Sequence, residues 1–304
     1  MELLLQNEAD VNAQGGTYCT ALQAASAEGY EQIVQLLIDS GADVNLRGGK
    51  YGSALQAASG AGYAGVVRLL VENSAKFDAA LQITSLGRND NIASYLLSKG
   101  ANPNAQGQSF GAALQVATAA GQEKMVQLLL NAGANANGEG NHFGTALEIA
   151  SATGNKGLVR LLLDKGADPG LSGGRCGLKT AELLQSTTYE VGPQINLHIS
   201  PLESASAAGH DEIVLMLLDA VPRFKEKWSE PGWRLGYLVN GSLEKASSNG
   251  HLEVIRILLD SKEKFGVSGD NLCPYKTHPK MDTKMLSDYY FHGAQVSTRQ
   301  GLAE

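Results

Sequence analysis

The chain repeats itself, and nothing else in it limits the possible folds as strongly. A small residue followed by Leu and then Gln or Glu, first met at Ala21-Leu22-Gln23, returns with its Leu at Leu55, Leu81, Leu114, Leu147, Leu202 and Leu243. The successive steps are 33, 26, 33, 33, 55 and 41 residues, so three are identical and three carry a deletion or an insertion. Such a period marks one supersecondary unit that buries its apolar face only by stacking on its neighbours.

The unit can be read from its parts. Each anchor Leu opens a run rich in Ala and Ser, as in Ala54-Leu-Gln-Ala-Ala-Ser, whose small side chains let an inner helix lie close to its neighbours. Seven residues after the anchor stands Gly29, Gly62, Gly121, Gly154, Gly209 or Gly250, where a helix can end with positive φ and the chain can turn sharply. In the third unit Arg88 takes that place and Gly87 comes one residue early, so a distorted turn is expected there. The next segment, such as Ile33-Val-Gln-Leu-Leu-Ile or Val254-Ile-Arg-Ile-Leu-Leu, has the apolar spacing of an outer helix. It stops at Gly41-Ala-Asp-Val-Asn, Gly100-Ala-Asn-Pro-Asn, Gly133-Ala-Asn-Ala-Asn or Gly166-Ala-Asp-Pro, a Gly stop followed by turn formers. The expected fold is all-α, a solenoid of stacked helix-turn-helix units joined by hairpin loops.

Gly-Ala-Asp-Val-Asn after the second helix, the 33-residue period and the Gly between helices together resemble ankyrin repeats, over roughly residues 1 to 260. Where the family usually has Thr-Pro-Leu-His, this chain has Thr20-Ala-Leu-Gln, Ser53-Ala-Leu-Gln, Ala112-Ala-Leu-Gln and Thr145-Ala-Leu-Glu. That variant, with Tyr-Gly or Phe-Gly usually before it, is similar to long fungal ankyrin arrays, including those attached to signalling NTPases of innate-immunity type. The resemblance implies a binding module. It places the recognition surface on the finger tips and on the two residues before each interhelical Gly.

The array is uneven. Regular units are expected over 1–170, a degenerate repeat or insertion over 171–199, two further units over 200–260 with an insertion at about 221–238, and a partial cap with a polar tail over 261–304. Leu3 to Asn12 match the second half of an outer helix and its exit, so the chain opens inside a repeat; either a longer protein precedes it or the first face meets a partner. The third unit runs through Ala75-Lys76-Phe77 almost directly into its inner helix, so its hairpin finger is expected to be missing. The insertion near 221–238 carries Trp228 and Trp233, and a loop with two Trp suits binding better than disorder.

Charge and cysteines exclude several function classes. The net charge of −7, from 24 Lys+Arg against 31 Asp+Glu with no long run of either sign, leaves no footprint for nucleic acid or anionic lipid. Cys19, Cys176 and Cys273 are odd in number and lack metal spacing, which suits a reducing, intracellular setting, the cytoplasm first and the nucleus second. No apolar run reaches the ~18 residues of a membrane span, and the first residues lack a signal peptide's pattern. Cys273, His278 and His292 in the tail lack the paired spacing of a zinc site. Gly138-Glu-Gly and Leu171-Ser-Gly-Gly lack the strand-to-helix setting of a phosphate loop. Neither a cofactor nor a metal is therefore expected.

In a stacked array each repeat position becomes a column along one face. Four residues before the anchor stand Tyr18, Tyr51, Phe77, Phe110 and Phe143, in a chain only 6% aromatic. They form either a ladder beside the concave groove that binds a partner, or struts that stiffen the fingers. Just after the anchor stand Gln23, Gln56, Gln82, Gln115, Glu148, Glu203 and Glu244, in place of the ankyrin His. Their simplest role is hydrogen bonding near helix starts. The finger tips hold Gly16-Thr17, Gly49-Lys50, Gln108-Ser109 and Asn141-His142, while small residues such as Ala27, Gly60-Ala61 and Ala119-Ala120 line the groove. His210, His251, Tyr30 and Tyr63 follow the interhelical Gly and are assigned to turn structure.

The leading functional reading is a scaffold that binds a protein or peptide through its groove and fingers, with Lys50, His142, Trp228 and Trp233 joining the aromatic column. An enzyme is the alternative: Glu203, Glu244 and His198 would act on a small molecule in a cavity roofed by the insertions near 175–197 and 221–238. A third reading is the sensor segment of a fungal signalling NTPase.

Overall fold

The Ala-rich segment after each anchor becomes a helix because little rotamer freedom is lost there, and Ser or Thr in front of it caps the first turn. The computed structural model describes residues 9–77, 79–107, 111–140, 144–171, 200–226 and 231–265, with only the backbone at 225 and 231–234. Among the described residues, seven helix pairs follow one another in chain order. They are α1 (Ala21–Glu28) with α2 (Glu31–Asp39), α3 (Ala54–Ala61) with α4 (Ala64–Glu72), α5 (Ala80–Gly87) with α6 (Asp90–Ser98), and α7 (Ala113–Ala119) with α8 (Glu123–Asn131). The last three are α9 (Ala146–Ala152) with α10 (Lys156–Asp164), α11 (Pro201–Ala208) with α12 (Asp211–Lys225), and α13 (Pro231–Asn249) with α14 (Leu252–Lys264).

The first helix of each pair packs on the first helix of the next, and the second on the second, so two layers of helices run along the array. The anchor Leu residues fill the space between the layers: Leu22, Leu55, Leu81, Leu114, Leu147 and Leu202 are all at most 2% exposed. They meet Val34 and Leu37, Val67 and Leu70, Val126 and Leu129, or Val159 and Leu162 from the outer helices in one continuous core. Each buried Leu contributes roughly 1.5–3 kcal/mol of transfer free energy. Ser26, Ser59, Ser85, Ser151 and Ser206 are fully buried one helical turn beyond the anchor, where a larger side chain would push adjacent inner helices apart.

Two expectations from the sequence are corrected. The turn at Arg88 is not distorted: Arg88 takes the left-handed conformation (φ 56°, ψ 36°) that Gly62 takes at the equivalent place (φ 86°, ψ 16°). The Arg88 N–H still donates to Thr84 O, so the helix cap is kept at the expense of backbone strain. The insertion at 221–238 is not a long loop, because α12 continues through Pro222 to Lys225 and α13 begins at Pro231. Ala220, Val221, Phe224, Leu235, Leu238 and Val239 are buried, so the extra residues lengthen two helices and extend the core.

Across the long step between Leu147 and Leu202 the described helices stay stacked. Helix α9 packs directly on α11 and α10 on α12, and Lys156 Nζ lies 2.6 Å from Glu212 Oε2 across that junction. Positions 172–199 themselves, like the expected half helix at 1–8 and the tail after 265, lie outside the described residues.

The connections between pairs form the fingers. Gly15 bridges Cys19 and Gly48 bridges Gly52, while β1 (Gln106–Gly107) pairs with β2 (Gly111–Ala112) and β3 (Glu139–Gly140) with β4 (Gly144–Thr145). The finger expected to be missing has no such bridge among the described residues. Only residues 73–79 join α4 to α5, where residues 40–53 join α2 to α3. No helix among the described residues is long and apolar enough to cross a membrane.

Candidate functional site: the finger row and the inner-helix face

Three columns of side chains hold the fingers and turns in register, and each reaches from one unit into the next. The first is the Gln after the anchor. Gln23 Nε2 donates to Leu46 O (3.3 Å), Gly48 O (3.3 Å) and Gly52 O (3.0 Å) in the following finger. Gln82 Nε2 donates to Ala105 O at 2.6 Å, and Gln115 Nε2 to Gly138 O at 2.7 Å. Gln23 Oε1 also accepts from Thr20 N–H at 2.9 Å, closing a capping box on its own helix.

The second column is the Asn that ends each Gly-Ala-Asp-Val-Asn exit. Asn104 Nδ2 donates to Gly133 O (3.0 Å) while its Oδ1 accepts from Asn135 N–H (2.7 Å). Asn12 makes the same pair with Gly41 and Asp43, Asn45 with Ser74 and Lys76, and Asn137 with Gly166 and Asp168. These clamps were legible as a motif in the sequence, but not as links between units.

The third column follows the interhelical turn and closes over the turn before it. His210 Nε2 lies 3.3 Å from Ala152 O and His251 Nε2 lies 3.0 Å from Ala207 O, while Asn89 Nδ2 donates to Ser59 O at 2.9 Å. The Tyr63 ring covers Gly29. The turn role assigned to Tyr63, His210 and His251 thus extends across the junction between units.

On this scaffold Tyr18 and Tyr51 stand side by side, ring centroids 5.9 Å apart and planes inclined by 27°. Lys50 Nζ lies 5.2 Å from the centre of the Tyr51 ring. The Tyr18 hydroxyl donates to Glu28 Oε1 at 3.1 Å, linking the first finger to the end of α1. That bond and the Glu28 charge raise the Tyr18 phenol above its ordinary pKa. Tyr51 is 38% exposed, so the pair forms an aromatic edge beside an inner-helix face lined by Ala27, Gly60 and Ala61.

Phe77 does not continue this edge. Its neighbour Lys76 donates to Asn45 just as Asp43 donates to Asn12, which puts Phe77 in register with the buried Val44, and Phe77 packs against the core. Counting back from the anchor misplaced it because the deletion removed the residues between. Phe110, Phe143, His142, Trp228 and His198 lie outside the described residues, as does the side chain of Trp233.

The two carboxylates of the enzyme alternative differ in setting. Glu203 is 6% exposed and accepts from Ser200 N–H at 2.7 Å, and burial raises its pKa against that bond and against Lys245; Glu244 is exposed. The Glu203 carboxylate rests against Gly241 of α13, where no Cβ would fit. A depression of about 620 Å³ lies elsewhere, between α8 and α10, lined by Glu123, Gln127, Leu128, Asn131 and Leu161. Among the described residues no group of three His, Cys, Asp or Glu is placed to hold a metal ion.

No curated protein matches the sequence. The family model for ankyrin repeats (3 copies) matches residues 1–82 and 81–172, more than half of the 304-residue chain. With the helix pairs, fingers and cross-unit bonds in place over the same residues and beyond, the chain belongs to the ankyrin-repeat family, whose repeats generally mediate protein–protein interaction.

Proposed function

We propose that this array is an intracellular interaction scaffold that grips a partner protein along its fingers and inner-helix face. The observation that carries the reading is the pairing of half-buried Tyr18 with exposed Tyr51, with Lys50 beside it. Rings fixed by a finger and a hydrogen bond offer large contact area with little entropy to lose, which is the chemistry of interface anchors. The small residues behind them leave room for a helix or an extended segment. Phe110 and Phe143, four residues before Leu114 and Leu147, are proposed to continue the edge, with His142 at a finger tip, Trp228 between α12 and α13 in sequence and Trp233 near the start of α13 as further contacts. The likeness of the Tyr51-Gly-Ser-Ala-Leu-Gln start to fungal-type ankyrin arrays supports reading the chain as one of them.

Proximity labelling with the native chain and with Tyr18→Ala/Tyr51→Ala tests the proposal. The variant, folded by circular dichroism, is expected to lose the partners that the native chain labels. A folded variant that labels the same set would show that the tyrosines are struts and not contacts.

A further inference from the structure

The deletion in the third unit removes more than a finger tip. Leu46, Ala105 and Gly138 are equivalent residues, each directly following the clamp Asn at 45, 104 or 137, and each offers its carbonyl to the Gln of the preceding unit. Gln56 is the Gln whose acceptor would lie in the deleted stretch. Its carboxamide makes no hydrogen bond among the described residues and turns back against Gly52, and it is half-buried where Gln23, Gln82 and Gln115 are buried. Elsewhere the fingers are also tied side by side: Lys50 N–H donates to Thr17 O at 2.9 Å, and Gln106 Nε2 to Glu139 O at 3.3 Å. The finger row thus has a gap between the Gly48–Gly52 finger and the β1–β2 finger, with a backbone-seeking donor at its base.

The charge around this gap is opposite to that of the whole chain. Residues 46–52 and 73–79 hold Arg47, Lys50 and Lys76 against Asp78, in a chain of net charge −7. Lys50 and Lys76 are exposed, one in each of these two connections.

We infer that the gap is the entry point for an acidic, extended segment of the partner polypeptide, whose backbone carbonyl takes the Gln56 bond in place of the missing finger. The inference rests on the interaction reading above and names what part of the partner it grips. Main-chain bonding supplies affinity that tolerates many sequences, and Lys50 and Lys76 select acidic ones.

The test selects a random peptide library displayed on phage against the full native chain, then measures the enriched peptides by fluorescence anisotropy. A finger-restored chain carries a copy of residues 46–52 between Asp78 and Ala79, which returns the step from Leu55 to Leu81 from 26 to 33 residues. Enriched peptides are expected to be rich in Asp and Glu and to bind the native chain. Their binding should weaken about three- to tenfold with Gln56→Ala, the worth of one hydrogen bond, and be lost with the restored finger. Peptides that bind the finger-restored chain as tightly as the native one overturn the inference. If those same peptides are lost with Tyr18→Ala/Tyr51→Ala, the concave-face reading still stands. A library without binders, or binders indifferent to every variant, overturns both. Self-association of the native chain that disappears with the restored finger, without peptide binding, overturns the partner segment in favour of a second copy. Should the insertion prevent folding, Lys50→Glu/Lys76→Glu decides: binding of acidic peptides is expected to fall at least about tenfold, and unchanged affinity overturns the inference.

Discussion

Tyr63 covers Gly29 so closely that a Cβ on Gly29 would lie 2.5 Å from the ring. The glycine therefore serves two purposes at once. Its φ of 76° ends α1, and its bare Cα admits the side chain that locks the second unit onto the first.

Gly29→Ala and Gly41→Ala separate those purposes. Both glycines have positive φ, but a Cβ at Gly41 would meet nothing within 4 Å. Gly41→Ala is expected to cost about 1–2 kcal/mol from backbone strain alone, and Gly29→Ala distinctly more. Urea unfolding measures both. Adding Tyr63→Ala should leave the Gly41→Ala penalty unchanged and shrink the Gly29→Ala penalty, and equal penalties throughout would refute the contact's contribution.

Arg88 holds the equivalent left-handed turn without being glycine. Arg88→Gly relieves strain of about 1–2 kcal/mol but loosens the unfolded chain by about 0.4–1 kcal/mol, so a net gain between about 0 and 1.6 kcal/mol is expected. A lowered thermal midpoint would show that the Arg88 side chain supplies a compensating contact.

The Asn104 clamp both donates and accepts across one junction. Asn104→Ala is expected to destabilise the array by roughly 1–2 kcal/mol, two net hydrogen bonds at a partly solvated site. Asn104→Asp keeps the acceptor for Asn135 N–H but turns a carboxylate oxygen toward Gly133 O, so it should not restore stability at neutral pH. Amide hydrogen exchange at Asn135 distinguishes the two, with protection lost in the Ala variant and retained in the Asp variant.

Burial dominates the raised pKa of Glu203, with Glu244 adding to it and the Ser200 bonds and Lys245 opposing. A carboxyl whose pKa is higher folded than unfolded stabilises the fold below the ordinary Glu range, and that contribution is lost as pH rises through the folded pKa. Glu203→Gln is therefore expected to stabilise the α11–α13 junction at neutral pH, with the advantage narrowing as the pH falls toward about 4. A carboxamide can keep the bond to Ser200 N–H, as Gln23 does with Thr20. Hydrogen exchange in α11 at two pH values reads the effect, and an advantage that grows on acidification would reverse the assigned sign.

Local information in the sequence determined the unit. Anchor, Gly and apolar spacing are contained within one helix pair, so the seven pairs among the described residues, their exits and the missing finger could be placed from residue order. The acidic balance and the scattered cysteines likewise needed no neighbours to be interpreted. What joins one unit to the next was decided only by tertiary structure. Gln23 finds Gly52, Asn104 finds Gly133, and Tyr63 finds Gly29 about one repeat away, and no periodicity says which atoms meet. The same holds for Phe77, which the count from the anchor assigns to the aromatic edge and the Asn45 clamp assigns to the core. It holds for residues 221–238 as well: their Pro and Gly suggest a loop, yet apolar residues such as Val221, Leu235 and Val239 find core to bury against, and that burial outweighs weak helix propensity. Propensity and spacing act within a unit, whereas register, burial and the gap beside Gln56 arise only when units are stacked.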